Sequence, residues 1–251
     1  MKKIIVSVLF LYLFVLSPIS AHAKVLDKDT IVIGTESTYP PYEFRDEKNN
    51  LQGFDIELME SIANKLGKKI EWVDMPFDSL IPALLAHKID IVAAGMSATP
   101  ERAKRVAFST PYEISMSAFL AKTENTSLKT LNDMKGKIIA VQLGTVQETF
   151  SRTIEGANVK TFQKFDDCVR EVTLGRADAT LMDVPVAKKF LDQKDFDGKI
   201  SIAFEQEITG AGKALAIHLE EKDFLDAVNG ALNEMQNSDE LENLRNKWFK
   251  Q

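Results

Sequence analysis

The sequence predicts an α/β fold in two lobes, and three observations carry that expectation. Short β-rich runs at residues 31–34, 69–73, 89–94, 138–141 and 179–182 alternate with amphipathic helical segments, the pattern of mostly parallel sheets flanked by helices. Two further β-like runs, 114–121 and 212–218, lie far apart in the chain and would act as two hinge strands between the lobes. The 228 residues that remain of 251 after the first 23 suffice for two lobes of about 100 residues each. The expected division is 1–23 as a signal peptide, 24–114 with 212–251 as the first lobe, and 115–211 as the second.

The helices have local support. In residues 55–66, Ile56, Leu58, Met59, Ile62, Ala63 and Leu66 recur at three- and four-residue spacing, and Gly67 stands where a left-handed C-cap is wanted. A helix over 79–87 would carry Pro82 in its first turn, where a missing N–H costs nothing. Further helices are expected at 165–174, stopped by Gly175, and at 185–191, 221–235 and 239–248.

The amino terminus points to export. Lys2 and Lys3 precede an apolar run over 4–16, followed by Ser17, Pro18 and small residues ending Ala21-His22-Ala23, the form of a cleavable secretory signal. That run spans 13 residues, against the ~20 a helix needs to cross a bilayer. Cleavage would leave Lys24 first, with no cysteine there to take a lipid, so a free, monomeric periplasmic protein is expected. The formal charge of −6 becomes −8 when Lys2 and Lys3 leave, which argues against nucleic-acid or anionic-membrane partners. Cys168 is the only cysteine, and its acidic neighbours Asp166 and Asp167 oppose a reactive thiolate. With His22 lost alongside the signal and His87 and His218 at element ends, no metal, cofactor or histidine-based catalytic apparatus is expected.

The candidate site gathers at strand ends. Residues 91–102 run from a strand through Ala94, Gly95, Met96 and Ser97 to a helix start with Thr99 as N-cap and Pro100 at the first position. Small residues there let a ligand approach the main chain, and Arg102 offers a two-pronged donor for a carboxylate, unless it is simply solvated. Residues 138–147 repeat the logic, with Gln142, a glycine turn at Gly144, and Thr145, Val146 and Gln147 at a helix N-terminus. Nucleotide binding is not expected, since the glycine and lysine spacing of a phosphate loop is missing. Asp183 follows the strand 179–182, where open α/β sheets bind ligands; it would serve equally as an N-cap for the next helix. Glu36 follows the strand 31–34, and Tyr39 and Phe77 are aromatics beside strand ends, placed either to sandwich a solute or to pack in the core. An arginine, two helix starts, carboxylates and rings together outline a zwitterion.

At these residues the sequence resembles the bacterial extracellular solute-binding proteins of the polar amino acid class, family 3, and within it the arginine-binding and lysine/arginine/ornithine-binding receptors. The likeness rests on Gly53-Phe54-Asp55-Ile56-Glu57-Leu58, on residues 77–84, and on the segment from Ala94 to Arg102. It implies a type II periplasmic-binding-protein fold, with a free amino acid and an inner-membrane ABC permease as partners. It also implies roles. Arg102 would pair with the ligand carboxylate, helped by the Ser97 main chain, Thr145 and Val146, with Gln147 nearby. Asp183, the Gly95 carbonyl and the Ser97 hydroxyl would take the ammonium. Tyr39 and Phe77 would hold the side chain, and Glu36 its far end, which favours arginine because a buried guanidinium needs a paired carboxylate. Met96 and Gln142 belong to the same site. Ornithine, lysine, histidine and glutamine stay within reach, since some basic-amino-acid receptors use a serine pair where this chain has Ala94-Gly95. The same scaffold also carries cyclohexadienyl and arogenate dehydratases, so a carboxyl general acid is the competing reading.

Overall fold

Two five-stranded sheets organise the chain. The first runs Lys69–Asp74, Thr30–Thr35, Ile91–Val92, Ala216–Ile217, Ala107–Phe108 from edge to edge; the second runs Asn158–Phe162, Ile138–Gln142, Ala179–Asp183, Ser117–Lys122, Ile200–Gln206. The first sheet therefore draws strands from both ends of the chain, and the second only from its middle. A small antiparallel sheet of Thr38–Tyr39, Glu43–Arg45 and Leu51–Gln52 lies between the first strand and first helix in sequence. The structure, a computed structural model, describes residues 23–209 and 211–250. Apart from Ala23, the expected signal peptide lies outside the described residues.

Pairing is mixed rather than wholly parallel. Thr30–Thr35 pairs in parallel with Lys69–Asp74 and Ile91–Val92, whereas Ala216–Ile217 is antiparallel to both its neighbours. Ser117–Lys122 is likewise antiparallel to Ala179–Asp183 and Ile200–Gln206. The antiparallel strands are those that follow the long crossings, where the chain re-enters a sheet without a helical crossover to impose parallel direction. The expected strand at 89–94 shortens to Ile91–Val92, because Gly95 takes a positive φ of 51° and turns the chain out of the ladder.

Helices cover both faces of each sheet. In the first lobe Phe54–Lys65, Lys222–Asn237 and Glu240–Phe249 close over Ile31, Ile33, Ile91 and Ile217, while Phe77–Leu85 packs Leu80 and Leu84 against Val92 on the other side. In the second, Phe165–Thr173 and Val184–Leu191 cover Leu120 and Met182, and Met134 and Phe150 back the opposite face. Each fully buried side chain of this size contributes about 1.5–3 kcal/mol of hydrophobic burial. The helix expected at 79–87 starts earlier, at Phe77, so Pro82 lies in its second turn and removes the bond to the Asp78 carbonyl. Cys168 is buried, and its thiol is pushed up chiefly by desolvation, then by Asp167. Among the described residues no helix is long and apolar enough to cross a membrane.

Asp55, in the first turn of its helix, is buried and accepts from the Gly95 N–H at 2.8 Å and the Tyr112 hydroxyl at 2.7 Å. Burial raises its pKa from 3.8 to about 7 against those two bonds. The folded state thus binds a proton that the unfolded state has released between these values, and stability falls as pH rises through that window. Asp55→Asn should flatten this loss and be more stable than wild type by ~1–3 kcal/mol at about pH 8, read from urea-unfolding midpoints. An unchanged pH profile would place the titration elsewhere.

Candidate functional site

The site is a cavity between the carboxyl ends of the two sheets, bounded on one lobe by Glu36, Tyr39, Glu43, Phe77, Gly95 and Arg102. Gln142, Thr145, Val146, Gln147 and Phe165 face them from the other lobe, and Lys213 comes from the returning segment. Each arrives where a strand gives way to a loop or helix. Gly95 and Gly144 allow the close approach. A Cβ on Gly95, at positive φ, would press on the Tyr39 ring at 3.2 Å, and one on Gly144 would meet the Asp78 Cβ at 2.9 Å. Gly144 therefore lets one lobe's loop touch the other lobe's helix.

Arg102 spans the cleft. Its Nη1 donates to the Ser97 carbonyl at 2.8 Å and its Nη2 to the Gly144 carbonyl at 3.0 Å, while the guanidinium lies 5.3 Å from the centre of the Phe77 ring. Burial lowers its pKa to about 10, so it is a cation at neutral pH. Among the described residues no carboxylate pairs with it. Thr99 caps the helix Pro100–Ala103 by accepting from the Arg102 N–H at 3.3 Å, which sets the direction of that side chain. Opposite, Thr145 caps Val146–Ser151 by accepting from the Glu148 N–H at 3.2 Å.

Glu36 also lines the cavity. It is buried and accepts from the Thr38 hydroxyl at 2.7 and 2.9 Å and from Gln142 Nε2 at 2.9 Å. Desolvation outweighs these bonds and raises its pKa to about 6.

Asp183 ends its strand opposite Ser117. It stands at the N-cap position of Val184–Leu191, yet its side chain makes no capping bond. Instead its Oδ2 accepts from the Tyr39 hydroxyl at 2.8 Å and from the Lys213 ammonium, and its Oδ1 from Gln147 Nε2 at 3.0 Å and the Ser117 hydroxyl at 3.3 Å. The N-cap alternative is thereby excluded by geometry.

Two expected residues, Asp183 and Met96, do not line the cavity; Asp183 instead bonds the lining residues Tyr39, Gln147 and Lys213. Met96 packs its side chain into the core beside Phe77 and Leu80, because the positive φ of Gly95 ends strand geometry there, while Ala94, Gly95 and Ser97 line the cavity. Tyr39 and Phe77 do not form an open pair of faces. Tyr39 stacks on Phe165 at 4.7 Å and Tyr42 at 5.6 Å, and Phe77 carries Arg102. Three lining residues escaped the sequence reading: Lys213, Glu43 and Phe165. A lysine inside the apolar run 212–218 and a glutamate between Tyr42 and Phe44 were the available signals, since buried charges are rare without a partner. Outside the cavity's lining, His87, His218 and Glu220 place ligand atoms within 4.8 Å of one another, a clustering hidden by 131 residues of sequence separation between the histidines.

Residues 31–251 match the bacterial extracellular solute-binding proteins, family 3. The chain belongs to that family. It is 35% identical to the arginine-binding extracellular protein ArtP of Bacillus subtilis, over 88% of this chain and 87% of ArtP. It is 33% identical to the L-cystine-binding protein TcyJ of Escherichia coli, over 90% of this chain and 85% of TcyJ. The histidine-binding periplasmic protein of Escherichia coli is 31% identical, covering 99% of this chain and 97% of its own length. Among solved structures, an ancestral arginine-binding protein bound to arginine superposes with a TM-score of 0.85 at 39% identity, covering 88% of this chain and 99% of that one. An ancestral amino-acid-binding protein described as a precursor of cyclohexadienyl dehydratase gives 0.81 at 34% identity, covering 90% of this chain and all of that one. The two-lobed periplasmic amino-acid-binding fold expected from the sequence is thus borne out.

Proposed function

We propose that this family member is the periplasmic receptor of an amino-acid ABC importer that closes as a monomer on one polar amino acid, with arginine preferred, and presents the closed form to an inner-membrane permease. On this reading residues 24–114 with 212–251 form one lobe, and 115–211 the other. The observation that carries it is Arg102, a desolvated cation with no carboxylate partner among the described residues, bonded to main-chain carbonyls on both sides of the cleft. A ligand carboxylate would supply the missing charge, helped by the Thr145 and Val146 main chain. Asp183, the Gly95 carbonyl and the Ser97 hydroxyl would receive the ammonium. Glu36, at the far end, favours a cationic side chain. The arginine, histidine and cystine named for the relatives support a polar amino acid as the class.

Contacts made only in the closed form would drive closure. No bond is broken. A thermal-shift screen of the refolded mature protein against the common amino acids tests the class, and the reading requires a shift with arginine, lysine, ornithine, histidine or glutamine.

Glu36 gives this reading a pH signature. With a pKa of about 6, its carboxylate is present above that value and protonated below it. Affinity for arginine should therefore rise about tenfold between roughly pH 5 and pH 7, and Glu36→Gln should remove the dependence. Equal loss of all ligands on Glu36→Gln would take the residue out of the specificity pocket.

One observation favours the enzymatic alternative. Glu43 is buried, lines the cavity and is held well toward its protonated form, first by desolvation and then by Asp55 and Glu36, the state a general acid requires. Turnover of arogenate or prephenate by the mature protein would replace the receptor reading.

A further inference from the structure

Lys213 makes a set of bonds that the reading above reserves for a ligand. Its Nζ pairs with Asp183 and donates to the Ser97 hydroxyl at 3.2 Å, and it lies 5.9 Å from the centre of the Tyr42 ring. Asp183 and the Ser97 hydroxyl are two of the three groups assigned to an incoming ammonium. Asp183 is also saturated. Its donors are Lys213, Tyr39, Gln147 and Ser117, and a carboxylate has about four acceptor positions. A ligand ammonium can reach Asp183 only by displacing one of them.

Lys213 is the donor with somewhere else to go. Its main chain is fixed, donating to the Glu113 carbonyl at 2.7 Å and accepting from the Tyr112 N–H at 2.9 Å, so only the side chain can swing. Glu43 lines the same cavity, and its buried Oε2 has no hydrogen-bond partner. A buried carboxyl oxygen without a partner costs free energy until a donor arrives, and an arriving ammonium favours the ionised form of Glu43. Tyr39, Gln147 and Ser117 are neutral donors, and none of them carries a charge that a ligand's ammonium would replace.

We propose that Lys213 is an internal competitor for the ammonium place, resting on Asp183 and Ser97 in the ligand-free protein and pushed onto Glu43 by the α-ammonium of a bound amino acid. This rests on the amino-acid reading and deepens it, because it makes Lys213 a determinant of which ligands the site accepts. An amino acid must displace a tethered cation of its own kind, and that lowers its affinity. A carboxylate ligand without an α-ammonium leaves Lys213 where it is, and the site tolerates it. In the absence of ligand the Lys213–Asp183 pair also links the returning segment to the opposite lobe, and so favours the closed shape.

The test compares wild type and Lys213→Met against arginine and 5-guanidinopentanoate, which is arginine without its α-ammonium, by calorimetry, with small-angle X-ray scattering of both ligand-free proteins. The variant should bind arginine at least about tenfold tighter and 5-guanidinopentanoate at least about tenfold weaker, because Asp183 then lacks any cation unless the ligand brings one. Its ligand-free radius of gyration should exceed that of wild type. If arginine binds both proteins and the variant binds it equally or less tightly, Lys213 is no competitor, and the amino-acid reading stands without it. If neither protein binds any amino acid, the amino-acid reading fails, and equal radii of gyration would overturn the Lys213 latch as well. Should Lys213→Met not unfold cooperatively, Lys213→Gln takes its place in every comparison.

Discussion

Asp183→Ala is expected to abolish binding of every amino acid and to destabilise the ligand-free protein. Asp183 is buried, and four donors from both sides of the cleft converge on it. Removing one partner of a buried ion pair leaves the other charge uncompensated, at a cost on the order of 3–5 kcal/mol. Here the stranded charge is Lys213, which is equally buried. Affinity for arginine should fall by a factor of about 10³, with a lowered unfolding temperature in the absence of ligand. Asp183→Asn separates the two effects, since it keeps the shape and an acceptor oxygen but not the charge. Calorimetry and thermal unfolding of both variants check this. Near wild-type affinity in Asp183→Asn would mean that the ammonium is received elsewhere, with Glu43 the next acceptor.

Arg102→Met should weaken all α-amino acids alike, by a factor of about 10². The guanidinium already spends one Nη on Ser97 and the other on Gly144, so it is oriented before any ligand arrives. Preorganisation of this kind lowers the ordering cost of binding. Arg102→Lys should recover little, because an ammonium is a point charge and cannot bond both carbonyls while facing a carboxylate. The contrast with Glu36→Gln is the informative one: loss at Arg102 is indifferent to the ligand's side chain, and loss at Glu36 is not. A side-chain-selective effect of Arg102→Met would place the ligand carboxylate away from it.

These expectations show where the sequence was legible. Residues that end a strand could be placed from the strand alone, because the carboxyl ends of parallel strands converge; Glu36 and Gln142 line the cleft for that reason, and Asp183 bonds its lining residues Tyr39 and Gln147. The helix cap at Thr99 and the helix start at Thr145 were equally plain, since the signal is local and chemical. Local signals fail where the partner is remote. Lys213 meets Asp183 and Ser97 only after the chain returns to the first sheet, 116 residues beyond Ser97. In sequence it was one polar residue in a hinge-like run. Glu43 carried no motif of its own, and its burial becomes visible only in the folded chain, beside Asp55 and Glu36. Met96 failed for a different reason, since the turn at Gly95, with a φ of 51°, directs its side chain into the core and leaves no periodic signal. Pairing direction in the strands after each crossing was likewise beyond local periodicity, which is the same for parallel and antiparallel strands.

The central claim, one polar amino acid held between the lobes by Arg102 and Asp183, is tested most directly by calorimetric titration of the mature protein, refolded to remove carried-over ligand, with arginine. The account predicts saturable heat with a stoichiometry of about one ligand per chain and micromolar or tighter affinity. It is contradicted if arginine, lysine, ornithine, histidine and glutamine all give no heat.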